Sequence, residues 1–381
     1  MFSRNETIMQ LLDSSQIQQS NSASPPLLDA LQDIVSNVQI QSNFCISHAD
    51  YKPLELPAEV VANFKRIPLN IQSKYLNLQL QRFLYGIYYN GSLRSALALD
   101  AANSVNLLLH QNLENNTLLG VNMEFLQLLH ESNSGEGYFN PGWYVLRQES
   151  DGSLAVTKDG LTLNIKRERH LQLANQSAAV GDLVAIRLPR NLVQNGFYVA
   201  MSNLDWENRG NLDSYPATVR IYFNLSPEGA VAIMGSLTQQ LNEIKVPFTF
   251  KVLYNPFDYD RYDSGVLYFD RNNYEAVRQV LHSIYAENQS HFRMEVPLFT
   301  KFLAPGFALA EEPDSKFSAQ ESFGMNRCQI IALGLLEAWQ KGDVSPKGRM
   351  ASILQHFFML GIDLKRPYLN ANSEDIYSPL D

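Results

Sequence analysis

Apolar residues in the first third of the chain recur at helical spacing. Over residues 27–132, hydrophobic side chains return about every three to four positions, as they do along one face of an α-helix. In the clearest run, apolar positions follow the first at offsets of 4, 7, 8 and 11: Leu76, Leu80, Phe83, Leu84 and Ile87. The pattern predicts a helical N-terminal domain over residues 27–132.

Two polar segments flank this helical region. Residues 1–26 are rich in Ser, Gln and Asn, particularly after Asp13, which is typical of a flexible leader. At the other end, residues 132–137 read Ser-Asn-Ser-Gly-Glu-Gly and are turn-forming. Beyond them the apolar period changes from about 3.6 toward 2. We therefore place a domain boundary here, with residues 133–381 as a second domain.

Alternating apolar and polar residues predict a series of strands in the second domain. Strands are expected at residues 142–147, 154–157, 161–165, 183–188, 196–201, 218–225, 247–254 and 265–269. Helical spacing returns at residues 230–241, 273–286, 324–340 and 347–360. This order predicts an α+β fold, a mostly antiparallel sheet with packed helices, and not a doubly wound nucleotide-binding fold.

Composition and charge narrow the possible functions. The chain has 381 residues, of which 45% are hydrophobic, enough for a sizeable core. Its net charge of -9 argues against broad binding to nucleic acids or anionic membranes, but permits a local basic pocket. The two cysteines, Cys45 and Cys328, exclude a disulfide framework or zinc cluster. With no apolar run near ~18 residues and no signal-like N-terminus, we expect a soluble cytoplasmic protein.

Familiar catalytic motifs are missing from the sequence. It contains no Walker-type phosphate loop, no dinucleotide-binding glycine motif, no zinc-protease motif, no serine-hydrolase elbow and no Cys-x-x-Cys pair. Among the histidines, His170 follows the charged run 166–169 and is a candidate catalytic residue. A solvated charged face is the more ordinary explanation of that run.

Four basic residues lie on or beside predicted core strands, where a charge is costly unless it is paired or used. In the strand 218–225, Arg220 projects from the face opposite the apolar odd-numbered positions, and Lys251 projects in the same way from its own strand. Arg261 precedes the next strand. Arg327 lies in the first turns of a helix, where backbone N–H groups favour anions. Together these four cations predict an anion pocket.

Each of these cations also has an ordinary structural explanation. Arg220 is typical of a cross-strand ion pair, and Lys251 of a side chain that extends its amine to solvent. Arg261 has acidic neighbours that favour a local salt bridge, and Arg327 is unremarkable at a helix start. From the residue pattern alone, the function stays open.

At these segments the sequence resembles the HopA-type effector family, known from type III secretion and from biosynthetic clusters for ribosomally made peptides. The resemblance extends over about residues 136–340 and leaves the first ~130 residues uncovered. It is carried by residues 218–225, 247–253, 261–263, 266–268, 304–311 and 322–327.

The resemblance implies an enzyme. Family members in class V lanthipeptide pathways look like phospholyases: a kinase-like partner phosphorylates Ser or Thr of a precursor peptide, and the HopA-type protein eliminates phosphate to leave a dehydroamino acid. The order of cations is also similar to that of bacterial phosphothreonine lyases, which implies a phosphothreonine-lyase-like fold. Such chemistry requires no metal or organic cofactor, and the expected partners are the phosphorylated peptide and the kinase-like protein.

Within this resemblance, the steps of β-elimination have candidate residues. Lys251 is expected to take the weakly acidic α-proton, provided that burial and nearby arginines keep its amine neutral. Arg220, Arg261 and Arg327 are expected to bind the phosphate, which carries about -1.5 to -2 charges.

The proton donor to the leaving oxygen is less defined than the base. Tyr222 shares a strand face with Arg220 and is the first candidate, although it is as well explained as an aromatic wall. Tyr268 and His170 are the alternative donors.

The competing interpretation is a non-catalytic protein, either an effector that engages a host target or a scaffold for a kinase and its peptide. The polar N-terminus is compatible with a secretion signal as well as with an ordinary tail. One expectation separates the two functions. Convergence of Lys251 with the three arginines around one cleft favours the enzyme, whereas separated side chains favour the binder.

Overall fold

The computed structural model describes residues 24–41, 43–101, 121–194, 196–204 and 217–380. The predicted leader lies outside these ranges except for residues 24–26, where the first helix already begins at Pro25. Among the described residues, no helix combines the length and apolar character needed to cross a membrane.

The helices and strands of the second domain largely follow the predicted order, but the strands at residues 191–194, 301–304 and 307–311 and a small sheet within the predicted helical region, at residues 39–54, were not predicted. The α-helices are α1 (Pro25–Asn37), α2 (Ala58–Phe64), α3 (Leu69–Leu84), α4 (Arg94–Leu97), α5 (Met123–Ser132), α6 (Arg167–His170), α7 (Pro227–Glu243), α8 (Tyr274–Asn288), α9 (Phe323–Gln340) and α10 (Pro346–Met359). The strands are β1 (Gln39–Ile40), β2 (Ile46–His48), β3 (Tyr51–Leu54), β4 (Tyr138–Gln148), β5 (Leu154–Lys158), β6 (Leu161–Ile165), β7 (Leu183–Leu188), β8 (Asn191–Gln194), β9 (Phe197–Met201), β10 (Thr218–Phe223), β11 (Phe248–Leu253), β12 (Gly265–Asp270), β13 (Lys301–Ala304) and β14 (Phe307–Glu311).

Three antiparallel sheets organise these strands, and the α+β prediction is confirmed. A small sheet contains β1, β2 and β3, and a four-stranded sheet has the order β6-β5-β4-β7. The largest sheet has seven strands in the order β13-β14-β10-β12-β11-β9-β8. Strand β8 therefore lies at one edge of this large sheet and β13 at the other.

The seven-stranded sheet has one apolar face. Val219, Ile221 and Phe223 of β10 are fully buried on it, together with Phe250 of β11. Burying each such side chain contributes about 1.5–3 kcal/mol of transfer free energy. Helix α7 packs against β11, and α8 packs against α7, so that their apolar residues join the same core. The hydroxyl of Ser226 caps α7 by accepting a hydrogen bond from the Gly229 N–H at 3.1 Å.

The opposite face of the same sheet is mixed in character. It carries Arg220 and Tyr222 of β10, as the alternation of the sequence predicts. At one end it is covered by Tyr89 and Phe323, whose ring centroids lie 6.3 and 6.4 Å from that of Tyr222. The region around Arg220 is left open as a pocket.

Two hydrophobic cores are present in the described part of the chain. The larger one joins the N-terminal helices to the seven-stranded sheet, because α3 packs against α9. The smaller core lies under the four-stranded sheet and includes Trp143, Val156 and Ile186. The limits of the predicted domains stay a prediction.

Candidate active site

The register of three central strands brings four of the predicted site residues onto one face. Arg220 on β10 lies opposite Tyr268 on β12, and Tyr268 lies opposite Thr249 on β11. In the neighbouring row, Tyr222 is paired through Val266 to Lys251. Directly opposite residues share a face, so these side chains all project to the mixed face of the sheet.

Tyr268 lies between the two cations of this face. Its ring centroid is 4.9 Å from the Arg220 guanidinium carbon and 5.1 Å from Lys251 Nζ. Lys251 Nζ also lies 4.8 Å from the ring centroid of Phe197. These distances are those of cation–π contacts, which hold both cations above aromatic surfaces.

A pocket of about 400 Å³ opens above these residues. Its lining combines two cations, one carboxylate, two threonine hydroxyls, an amide, a tyrosine and an apolar floor: Arg220, Lys251, Glu312, Thr218, Thr249, Gln194, Tyr268 and Val199. This volume lies within the range that is typical of small-molecule binding sites.

Arg220 is held in place by an ion pair at the edge of the pocket. The side chain is only 7% exposed, and its Nε donates to Oε2 of Glu312. Glu312 also accepts a hydrogen bond from Lys316 Nζ at 2.5 Å. Burial tends to raise the pKa of Glu312, but Arg220 and Lys316 outweigh it and lower that pKa. Within the described ranges, Nε is the only Arg220 side-chain nitrogen that donates a hydrogen bond, which leaves both terminal nitrogens for a ligand.

Lys251 differs from Arg220 in having no anionic partner at contact distance among the described residues. Across the described ranges, its Nζ makes only the two ring contacts and no hydrogen bond or ion pair. The side chain is half-buried in the pocket wall. An amine placed in this way is open to a ligand in the pocket.

Arg261 lies near this pocket but does not line it. Its guanidinium forms a bidentate pair with Asp263, with Nε–Oδ1 and Nη2–Oδ2 distances of 2.5 and 2.9 Å. It lies 5.8 Å from the ring centroid of Phe197, the same ring that Lys251 contacts. Asp263 is further fixed by Asn90, whose amide donates to Oδ1 at 3.1 Å. The structure therefore contains the local salt bridge that the acidic neighbours of Arg261 favoured in the sequence.

Arg327 is not brought to the pocket at all. Its side chain is 1% exposed and donates to the carbonyls of Pro367 and Leu369 at 2.8 and 2.9 Å. A third hydrogen bond goes to Oδ1 of Asn326 at 2.6 Å. Burial lowers the pKa of Arg327 to about 10. The guanidinium ties the C-terminal segment to α9, and nothing in this arrangement leaves it free for phosphate.

The three candidate proton donors are separated by the fold. Tyr222 is 2% exposed, and its hydroxyl has no partner of normal hydrogen-bond geometry among the described residues, its neighbour being Tyr89. Burial raises the pKa of Tyr222. His170 lies on α6 and lines a different pocket. Tyr268 alone of these three lines the pocket with Lys251 and Arg220.

Sequence reasoning missed several pocket residues. Glu312 is separated by 92 positions from the Arg220 that it pairs with, and no local pattern indicates such a partner. Thr249 was detectable, because it lies two residues before Lys251 on the same strand face. Phe197 was not detectable as a site residue, since apolar strand residues are most often core.

The comparisons with known proteins concern the segment that holds this pocket. Residues 188–369 match the family model described as the HopA1 effector protein family, which confirms the resemblance. Two solved structures are similar, each covering 65% of this chain and 81% of its own, with TM-scores of 0.37. They are the effector protein from Pseudomonas syringae pv. tomato strain DC3000, at 18% identity, and that from Pseudomonas syringae pv. syringae strain 61, at 14%. A comparison with the curated proteins finds no match.

Proposed function

We propose, from the match of residues 188–369 to the HopA1 effector protein family and from the pocket within that segment, that this protein is a phospholyase. Its substrate is a peptide that carries phosphoserine or phosphothreonine. The products are a dehydroamino acid in the peptide and inorganic phosphate.

One observation carries this proposal: Lys251 and Arg220 line the same pocket on either side of Tyr268. β-Elimination needs a base for the α-proton and a cation for the departing phosphate. Among the residues that the structure describes, an amine without an ion-pair partner and a guanidinium whose terminal nitrogens donate no hydrogen bond meet both needs within one cavity.

The reaction begins with the loss of the α-proton to Lys251 Nζ, which must be neutral to accept it. The electron pair of the broken C–H bond forms the Cα–Cβ double bond. The Cβ–O bond breaks at the same side chain, and its electron pair leaves with the phosphate. Protonated lysine then returns its proton to solvent, so that atoms and charges balance.

Phosphate binding is assigned to Arg220. The planar guanidinium is suited to bidentate contact with phosphate oxygens, and its pairing with Glu312 fixes its orientation in advance. The hydroxyls of Thr218 and Thr249 line the same cavity and are placed to donate to the remaining oxygens. Arg261 and Arg327 are outside the pocket lining, so phosphate binding rests on Arg220.

Tyr268 is assigned as the proton donor to the bridging oxygen, and the phenolate that this leaves takes a proton back from solvent. It lies between the residue that holds phosphate and the residue that takes the α-proton, which is the position of the breaking Cβ–O bond. Neither Tyr222 nor His170 lines this cavity. A metal or organic cofactor has no step to perform in this scheme.

The partners follow from the substrate. A kinase-like protein supplies the phosphorylated residue of a ribosomally made precursor peptide, in a lanthipeptide-type pathway, and the present protein consumes it. We place this reaction in the reducing cytoplasm, with a secreted effector as the alternative location. Two buried thiols, Cys45 and Cys328, fit a reducing compartment.

The test is incubation of the purified protein with a synthetic phosphothreonine peptide, followed by mass spectrometry. The proposal expects loss of phosphoric acid from the peptide, first with the protein alone and otherwise with the kinase-like partner present. A mass that stays unchanged under both conditions, with peptide bound, contradicts the lyase.

The second candidate, a non-catalytic effector or scaffold, draws on one observation. Two of the four predicted cations lie outside the pocket lining and are bound elsewhere, Arg261 to Asp263 and Arg327 to backbone carbonyls. A binder of this kind holds a phosphopeptide with a measurable Kd and releases it intact. The same mass-spectrometric experiment therefore separates the two functions.

A further inference from the structure

A second pocket, distinct from the candidate active site, concentrates basic residues. It measures about 410 Å³ and lies among α5, α6 and the end of β7. Its lining includes three arginines, two histidines and one carboxylate: Arg169, Arg187, Arg190, His130, His170 and Glu136. This concentration of positive charge contrasts with the net charge of -9 of the whole chain.

The three arginines of this basic pocket differ in how many of their side-chain nitrogens are hydrogen-bonded. Arg190 is fixed by the backbone, since it donates to the carbonyls of His130 and Asn133 at 2.9 Å each. Arg187 pairs with Glu136 at 3.0 Å, yet its Nε is buried without a hydrogen-bond partner among the described residues. The Arg169 side chain is exposed and makes no hydrogen bond or ion pair within those ranges. Unused donors on two guanidiniums favour an anionic ligand.

Strand β8 connects the basic pocket to the candidate active site. Its first residue, Asn191, lines the basic pocket, and its last residue, Gln194, lines the pocket with Lys251. Residues three apart on a strand face opposite sides of the sheet. The two pockets therefore open on opposite faces of the same edge strand.

The outer edge of β8 is unpaired in the described part of the chain. The strand is hydrogen-bonded to β9 alone, and the Arg190 carbonyl accepts from the Met201 N–H at 2.9 Å. Because antiparallel ladders alternate, the backbone groups of Asn191 and Val193 then point outward. The side chain of Val193 is 57% exposed and that of Leu192 is 47% exposed.

The other edge of the sheet, at strand β13, is covered by another part of the chain. At β13, the Leu303 carbonyl accepts a hydrogen bond from the Leu380 N–H at 3.0 Å, so the C-terminal segment lies along it. Lys301 on the same strand is paired with Asp375 at 2.8 Å. Proteins protect exposed edges by such cover, or by lysine and proline, and β8 contains neither residue.

We propose that β8 and the basic pocket together bind an extended acidic peptide. Its backbone pairs with the outward groups of Asn191 and Val193, as an added strand. The peptide side chain opposite Asn191 lies on the same face and places a carboxylate among Arg169, Arg187 and Arg190. We assign this peptide as the recognition segment of a phosphorylated substrate, which leads past Gln194 to the active pocket. This assignment of the peptide rests on the proposed function.

The first experiment measures binding without chemistry. A fluorescein-labelled peptide that alternates glutamate and threonine is titrated with the full chain and followed by fluorescence anisotropy. Its counterpart has glutamine in place of every glutamate, and neither peptide is phosphorylated. We expect the glutamate peptide to bind at least about 10-fold more tightly, with an affinity that falls as salt rises.

Two substitutions test the two halves of the site. Arg169→Gln removes an exposed guanidinium and should raise the Kd about 5- to 10-fold. Arg66→Gln, an exposed arginine before α3, is the matched control and should leave the Kd unchanged. Val193→Pro removes an outward N–H without touching the β9 ladder and should weaken binding comparably, whereas Val193→Thr keeps the donor and the affinity.

Several results would overturn the inference. Equal affinities for the two peptides would show that the site does not prefer acidic peptides. Wild-type affinity in both Arg169→Gln and Val193→Pro would show that the peptide does not bind at β8 and the basic pocket. A dimer in size-exclusion chromatography that Val193→Pro dissociates assigns the edge to a second copy of the chain instead. Because the peptides carry no phosphate, these outcomes are independent of whether the protein eliminates phosphate.

Discussion

Arg220 and Tyr268 are cross-strand neighbours in the large sheet, with the guanidinium carbon 4.9 Å from the centre of the tyrosine ring. Lys251 Nζ lies 5.1 Å from the centre of the same ring. A phosphate bound at Arg220 therefore shares one cavity of about 400 Å³ with Tyr268 and Lys251.

Removing the hydroxyl of Tyr268 tests its role as proton donor. Tyr268→Phe keeps the ring that supports Arg220 and Lys251, so folding and KM should stay unchanged. The loss of general acid catalysis should lower kcat by about 100-fold or more. Steady-state kinetics on a phosphothreonine peptide measures both constants, and a kcat equal to that of the wild type would exclude Tyr268 as the donor.

Replacing Arg220 tests the phosphate contact. Arg220→Lys keeps a positive charge but loses the planar pair of terminal nitrogens, so KM for the phosphopeptide should rise about 10- to 100-fold. Lys316→Gln is the matched control, because it removes a cation that touches Glu312 but lies outside the pocket lining. If KM rose more in Lys316→Gln than in Arg220→Lys, Arg220 would not be the residue that binds the phosphate.

Arg327 should be important for stability and not for phosphate binding. Arg327→Met removes the donors to the carbonyls of Pro367 and Leu369, which leaves buried acceptors without partners. We expect the free energy of unfolding to fall by about 2–4 kcal/mol, as measured by denaturant titration. The folded fraction should keep the wild-type KM. A raised KM at unchanged stability would instead show that Arg327 binds the phosphate.

The buried pair of Arg261 and Asp263 predicts a dependence of stability on pH. Burial tends to raise the pKa of Asp263, but Arg261 and Asn90 outweigh it and lower that pKa below its ordinary value. A depressed folded-state pKa stabilises the fold above the pKa of the unfolded chain, near 3.8, and this stabilisation is lost as pH falls through the folded value.

Asp263→Asn checks this assignment. The variant leaves Arg261 without its carboxylate and should be less stable at pH 7 by about 3–5 kcal/mol. The difference from the wild type should shrink as the pH is lowered toward the acid range, because the wild type then protonates Asp263. Unfolding free energies that differ equally at neutral and acid pH would rule out the pair as the cause.

The strand phases of the site were predictable from the sequence. Alternation placed Arg220 and Tyr222 on one face of β10 and Lys251 on the corresponding face of β11, and the register of the sheet agrees. That information is local, because successive strand residues point to opposite faces whatever the rest of the fold does. The α+β class followed in the same way from changes of apolar period.

What the sequence did not reveal is the distant partner that Arg220 and Arg327 each take. Arg327 bonds to a carbonyl 40 residues away, and Arg220 to a carboxylate 92 residues away. Such pairings depend on how loops and the C-terminal segment pack, which no local pattern encodes. The resemblance grouped four cations in one pocket because of their order along the chain. In the structure, two of the four line the pocket, Lys251 and Arg220.

The central claim is that Lys251 takes the α-proton, and single-turnover kinetics on a phosphothreonine peptide test it most directly. The wild type should convert the peptide to the product lighter by phosphoric acid. Lys251→Ala should bind the same peptide with a similar Kd and convert it at least about 100-fold more slowly. Elimination by Lys251→Ala at the wild-type rate would contradict the account.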